Sequence, residues 1–177
     1  PFEQVVNMLA GLQSFFDVTQ GQPSIMRAAV LSFAFVYIHP LADGNGRVHR
    51  FLVNDLLYRD GILSEPMILP ISSAISDSTQ HRRDYDKILD TVSKPLMAKL
   101  IGEYQFETTQ IFEDGIKSNL HLGNVDNALP IWRFLDLTPH VLYLAKLVSR
   151  VIQDDLYQEI LIKIYKALKR YNYQCDE

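Results

Sequence analysis

Apolar residues recur at helical spacing from the start of the chain. Val5, Met8, Leu9, Leu12 and Phe16 fall near one face of residues 2–17, which predicts an amphipathic helix. Gln20-Gly21-Gln22-Pro23 breaks it, and Ser24 is a candidate cap for a second helix reaching about Ile38. That helix is apolar almost all round, through Ala28, Ala29, Val30, Leu31, Phe33, Ala34, Phe35 and Val36, so it is expected in the middle of a core. Pro40 ends it, because proline disfavours helical geometry in the preceding residue. The polar turn Asp43-Gly44-Asn45-Gly46 opens a third helix, from about Gly46 to Asp60, closed by Gly61. Val48, Phe51, Leu52 and Leu56 are the positions expected to face the core.

Residues 62–78, with Pro66 and Pro70, read as irregular. A helix is predicted from near Thr79 to about Ser93, with Pro95 interrupting. Leu96, Leu100, Ile101 and Tyr104 carry a helical pattern through 96–118, and 119–130 reads as a linker or loop. From Thr138 to about Tyr171 a long amphipathic pattern returns, through Leu142, Leu144, Leu147, Val151, Ile152, Leu156 and onward. Strand signals are few. The prediction is an all-α fold with room for one small hairpin that the pattern does not locate.

The 177 residues suffice for one sizeable core, or one core with an appendage. A net charge of -4 gives no basic field to attract nucleic acid or an anionic membrane. The one cysteine, Cys175, excludes an internal disulfide and a cysteine-built zinc site, which fits a cytoplasmic setting. No apolar run approaches the roughly 20 residues a membrane helix needs. The chain starts at Pro1 without methionine or a signal-peptide layout, and is expected to be a piece of something longer.

The chemistry concentrates in His39-Pro40-Leu41-Ala42-Asp43-Gly44-Asn45-Gly46-Arg47-Val48-His49-Arg50. His39 stands at the end of a buried helix and can change protonation near neutral pH. Asp43 is an oxygen ligand of the kind magnesium takes. Gly44, Asn45 and Gly46 open the next helix, where backbone N–H groups and the helix dipole favour an anion. Arg47, Arg50 and Asn54 share one face of that helix. A base, a metal ligand, an amide cradle and two guanidiniums suit a polyphosphate and a proton-bearing nucleophile. The bland alternative, a helix joint with a capping aspartate and surface arginines, would need all these groups to converge by accident. His49, His81, His121 and His140 are read as non-catalytic.

The string resembles the Fic family signature, HPFx[DE]GNGRxxR, with Leu41 in place of the usual phenylalanine, an apolar anchor for the loop. The likeness extends over roughly residues 1–100, through Arg27-Ala28-Ala29, Arg50-Phe51-Leu52, Leu69-Pro70-Ile71-Ser72 and Arg83–Leu89. It implies a Fic core over 1–118 and a helical C-terminal extension over 119–177. It also implies a protein AMP transferase: His39 as general base, Asp43 holding Mg²⁺, and the amides of Gly44, Asn45 and Gly46, with the Asn45 side chain, on the α- and β-phosphates of ATP. Arg47 and Arg50 would neutralise the β- and γ-phosphates, and Tyr85 would flank the adenine. The partner implied is a protein presenting a Ser, Thr or Tyr hydroxyl. Glycine at 46, where Doc-type kinases have lysine, favours AMP transfer over phosphoryl transfer. Removal of AMP, transfer of another nucleotide or phosphocholine, and nucleotide binding without transfer stay open, as does a homodimer. The resemblance places the flap that presents a target just before the helix beginning near Phe2, with Pro1-Phe2 as its expected remnant, which is the reason to expect a fragment. An inhibitory helix would lie on a missing segment or a partner, since Thr109–Asp114 only approximates its [S/T]xxxE[G/N] pattern.

Overall fold

The computed structural model describes residues 2–63, 68–111, 115 and 117–154. Helices α1 (Phe2–Val18), α2 (Ser24–Ile38) and α3 (Asn45–Arg59) are followed by α4 (Ile71–Ser76) and α5 (Thr79–Lys99). Strands β1 (Tyr104–Ile111) and β2 (Lys117–Leu122) form an antiparallel hairpin. A 3₁₀ turn, Asp126–Ala128, leads to α6 (Leu129–Arg133), and residues 138–154 form a further helix, α7. The fold is thus mostly helical, as predicted. No helix among the described residues is long and apolar enough to cross a membrane.

The core sits where α2, α3, α4 and α7 meet. Ala28, Ala29 and Phe33 of α2 are wholly buried against Val53, Leu56 and Leu57 of α3, Ile71 and Ile75 of α4, and Leu144, Leu147 and Val151 of α7. Truncating a buried phenylalanine such as Phe33 typically costs about 3–5 kcal/mol. Arg27 is buried with them and joins three elements. It pairs with Asp60 beyond α3, donates to the Phe16 carbonyl of α1 at 2.9 Å, and donates to Thr19 Oγ1 at 3.2 Å.

Four local expectations are corrected. Pro23, not Ser24, is the residue before α2, and no side chain caps it; the Pro23 carbonyl accepts from Arg27 N–H at 3.1 Å. The buried face of α3 is Asn45, His49, Val53, Leu56 and Leu57, while Phe51 is 63% exposed. Two polar residues on the buried stripe hid it from the hydrophobic pattern. Pro95 does not stop α5, which continues to Lys99. Both Pro95 and Thr91, whose carbonyl loses its partner there, are exposed, so water can satisfy that carbonyl.

The helical pattern expected over 96–118 fails after Leu100. Glu103 N–H closes a turn on the Leu100 carbonyl at 2.9 Å, Gly102 has φ +87°, and β1 begins at Tyr104. Tyr104, Phe106, Thr108 and Thr109 are aromatic or β-branched residues that favour extended backbone. β2 lies where a helix end and a loop were expected. Tyr104 faces Leu122 and Phe106 faces Leu120, with a register irregularity between Phe106 and Gln110. Thr109, the start of the approximate inhibitory pattern, is in a strand rather than a helix, and Glu113 lies outside the described residues. So do Cys175 and the amphipathic pattern beyond 154.

Candidate functional site

The loop between α2 and α3 is built by three local devices. His39 caps the C-terminus of α2 in the left-handed region (φ 52°, ψ 52°), its N–H donating to the Phe35 carbonyl at 3.1 Å. It alone among the described non-glycine residues has positive φ. That geometry turns the chain sharply and leaves the His39 side chain exposed at the loop. Gly44, at φ 92°, makes the second turn and precedes α3. A Cβ would be strained there. Asn45 then clamps the loop from inside. Its Oδ1 accepts from Leu41 N–H at 3.0 Å, and its Nδ2 donates to the Leu41 carbonyl at 2.6 Å.

The Asn45 side chain is 2% exposed and engaged with Leu41, so it shapes the cradle it lines. Leu41 itself is 42% exposed, so the loop is anchored through its backbone rather than its side chain.

His39, Asp43, Gly44, Asn45, Gly46, Arg47 and Arg50 all line one open cavity of about 280 Å³, together with Ala42. α3 starts without a capping side chain and without an acidic residue in its first turn. Arg47 N–H donates to the Gly44 carbonyl at 2.9 Å and Gly44 N–H to the Asp43 carboxylate at 2.6 Å, while the N–H groups of Asn45 and Gly46 have no carbonyl one turn back and are the open amides of the loop. The Arg47 guanidinium lies over Gly44, within 3.4 Å of where a Cβ would stand, and that of Arg50 lies over Gly46, at 3.2 Å. Arg50 Nε is buried with no hydrogen-bond partner. A buried unpaired guanidinium donor beside open helix amides is the electrostatics of an anion site.

Asp43 is the carboxylate at this cavity. Its side chain is 92% exposed, accepting from Gly44 N–H at 2.6 Å and from Arg47 Nη2 at 3.0 Å. No group of three or more His, Cys, Asp or Glu side chains forms a cage among the described residues. That donor set fits magnesium, which is commonly held by one or two carboxylates plus phosphate oxygens rather than by protein alone.

Tyr85 lies apart from this cavity, in an aromatic cluster. Its ring is 6.3 Å from Phe33, 5.9 Å from His49 and 6.2 Å from Tyr143. Burial pushes its pKa up, partly offset by Arg50. His49, read as non-catalytic, is a core residue edge-on to Phe33 at 4.7 Å, and burial drives its pKa down to about 4. Asn54, on the arginine face of α3, turns to the chain after α3 instead, accepting from Leu69 N–H at 2.8 Å and donating to its carbonyl at 3.2 Å.

Sequence reasoning missed a larger, mainly apolar cavity of about 620 Å³ that shares Arg47 and Arg50 and is walled by Phe51, Ile68, Leu69 and Pro70. Phe51 was assigned to the core by a helical pattern that Asn45 and His49 had disguised. Only the correct phase of α3 would have turned it toward this cavity.

Comparison with known proteins bears on the same stretch. The family model described as "Fic/DOC family" matches residues 1–57. Among similar curated proteins, protein adenylyltransferase fic-1 of Caenorhabditis briggsae is 37% identical over 71 residues, covering 40% of this chain and 13% of that protein. Its counterpart in Caenorhabditis elegans is 43% identical over 49 residues, 28% of this chain and 9% of that protein. Protein adenylyltransferase Fic of Drosophila melanogaster is 49% identical over 43 residues, 24% of this chain and 8% of that protein. The chain therefore spans only a small part of the length of these relatives. No solved structure gives a significant match. The segment 1–57, which carries the complete histidine–aspartate–glycine–arginine loop towards its C-terminal end, is thus similar to the Fic/DOC family.

Proposed function

We propose that the protein transfers AMP from ATP to a hydroxyl side chain of a target protein. The observation that carries this reading is the convergence of His39, Asp43 and the Arg47–Arg50 pair on one cavity at the open N-terminus of α3. The names of the similar proteins, all protein adenylyltransferases, support it.

In this mechanism the exposed His39 imidazole accepts the proton of the target Ser, Thr or Tyr hydroxyl. The freed oxygen forms a bond to the α-phosphorus, the bond from that phosphorus to the bridging oxygen breaks, and pyrophosphate leaves. The N–H groups at the start of α3 hold phosphate oxygens, and Arg47 and Arg50 neutralise the charge that accumulates on the leaving group. Asp43 would hold Mg²⁺, which when bound would supply further charge neutralisation. The chain's own work is positioning and electrostatics, to which a placed base typically adds about 10²–10⁴-fold.

The test incubates the protein and a His39→Ala variant with lysate, Mg²⁺ and ATP labelled on the α-phosphate. Label on protein with the parent chain alone supports AMP transfer. Label that transfers only from the γ-phosphate would replace this reading with a kinase. No transfer from either position, with the nucleotide still bound, would leave a nucleotide-binding module.

A further inference from the structure

We infer that His140, far along the chain from the catalytic loop, is a positioning residue for His39, acting through the hydroxyl of Tyr37. The inference rests on the AMP-transfer reading only in naming what His39 does. The geometry stands without it.

Three helices meet at one oxygen. Tyr37 is in the last turn of α2, two residues before His39. His140 of α7 brings Nε2 within 2.6 Å of Tyr37 Oη. The Ile88 and Leu89 carbonyls of α5 lie 3.2 and 3.3 Å from the same oxygen. The phenol has one proton to give. If it goes to an α5 carbonyl, His140 must donate from Nε2, which leaves Nδ1 as a bare acceptor. The opposite tautomer would strand an N–H inside the protein and leave both carbonyls without this donor. His140 is 0% exposed and its Nδ1 has no partner, so the first arrangement costs less. The chain is then His140 to Tyr37 to α5, all three held in one orientation. Phe33 fixes the imidazole edge-on at 4.7 Å.

What this lock controls is the end of α2. His39 holds a left-handed conformation that a non-glycine residue adopts only when its surroundings impose it. The Phe35 carbonyl that receives the His39 N–H is in the same turn as Tyr37. With the hydroxyl tether released, the last turn of α2 is free to fray and His39 to relax toward the extended backbone that Pro40 favours in the residue before it. The open amides of α3, held by Asn45 and Leu41, are untouched. The effect should therefore fall on the chemical step and not on nucleotide binding.

The experiment compares Tyr37→Phe, His140→Leu, His140→Gln and the double variant Tyr37→Phe/His140→Leu, measuring AMP-transfer kinetics and amide hydrogen exchange at His39. Misplacement of a reacting group can cost up to about 10²-fold, so Tyr37→Phe and His140→Leu are expected to lower kcat about tenfold, with KM for ATP within about twofold. Exchange at the His39 amide should rise about tenfold while amides in the middle of α2 keep their protection. The double variant should be no worse than either single one, since both cut one tether. Glutamine at 140, which can still donate to the phenol, should restore most of the loss. Wild-type kcat together with wild-type His39 exchange in Tyr37→Phe overturns the inference, as does a His140→Leu defect that appears only with global unfolding. If the parent chain transfers no AMP, that reading falls and the exchange comparison still decides this one.

Discussion

Asn45 and Leu41 are joined by a reciprocal pair of hydrogen bonds, amide side chain to peptide backbone, at 3.0 and 2.6 Å. The pair closes the loop that carries Asp43 and sets the direction in which α3 leaves it. Asn45→Ala removes both bonds in a buried setting, at about 1 kcal/mol each. The expected result is a loss of about 2 kcal/mol in urea unfolding and faster amide exchange across 41–44. Unchanged exchange there would show that the loop holds its shape without the clamp.

His39→Gly separates chemistry from stability. Glycine takes φ 52° freely and relieves about 1–2 kcal/mol of left-handed strain, while its extra unfolded-state entropy costs about 0.5–1 kcal/mol. Stability should stay within about 1 kcal/mol of the parent chain. AMP transfer should fall by at least about 10²-fold. A thermal melt beside the labelled-ATP assay checks both halves.

Gly46→Ala should move stability and binding in opposite directions. Alanine is the better helix former by about 0.8–1 kcal/mol. Its methyl would sit 3.2 Å from Arg50 Nη1 and push the guanidinium off the cradle. ATP affinity by titration calorimetry should drop about tenfold, the scale of one lost charge-assisted hydrogen bond, with no fall in melting temperature.

The protein should lose stability in mild acid. Burial depresses the pKa of both His49 and His140 to about 4, with Arg50 adding to the shift at His49 and Asp136 opposing it at His140. A depressed imidazole pKa means that the unfolded chain binds the proton first. Stability is therefore full above the ordinary value near 6.5 and drains away as pH falls from there toward 4. By pH 5 the loss is about 2 kcal/mol per imidazole. Urea midpoints between pH 7.5 and 5 measure it, and His140→Gln should reduce the slope.

Much of the site was legible in the sequence because its parts are contiguous. Residues 39–50 carry His39, the Asp43 carboxylate, the glycines and both arginines, and the structure gathers all of them on one cavity. What escaped was non-local or disguised. His140 reaches Tyr37 across 103 residues, and no local pattern encodes that meeting. Asn45 and His49 are polar residues doing the packing of apolar ones, which shifted the apparent face of α3 and misdirected Phe51. The helices α1 to α3 were clear because long apolar stripes fix them. The hairpin was not, because Leu100, Ile101 and Tyr104 continue a helical spacing just past the point where the backbone has already turned. Pro95 misled in the other direction: its exposure lets solvent replace what the ring removes.

The hairpin begins and ends at nearly the same point. Gly123 N–H reaches the Glu103 backbone carbonyl at 2.6 Å, and the Glu103 carboxylate accepts from Asn124 N–H at 2.8 Å. Its strands are largely exposed. Such a stem is a natural splice junction: residues between 103 and 123 could be exchanged for a shorter turn or a foreign peptide without asking α5 or α6 to move. The molecule thus carries a ready port for an affinity label or a reporter.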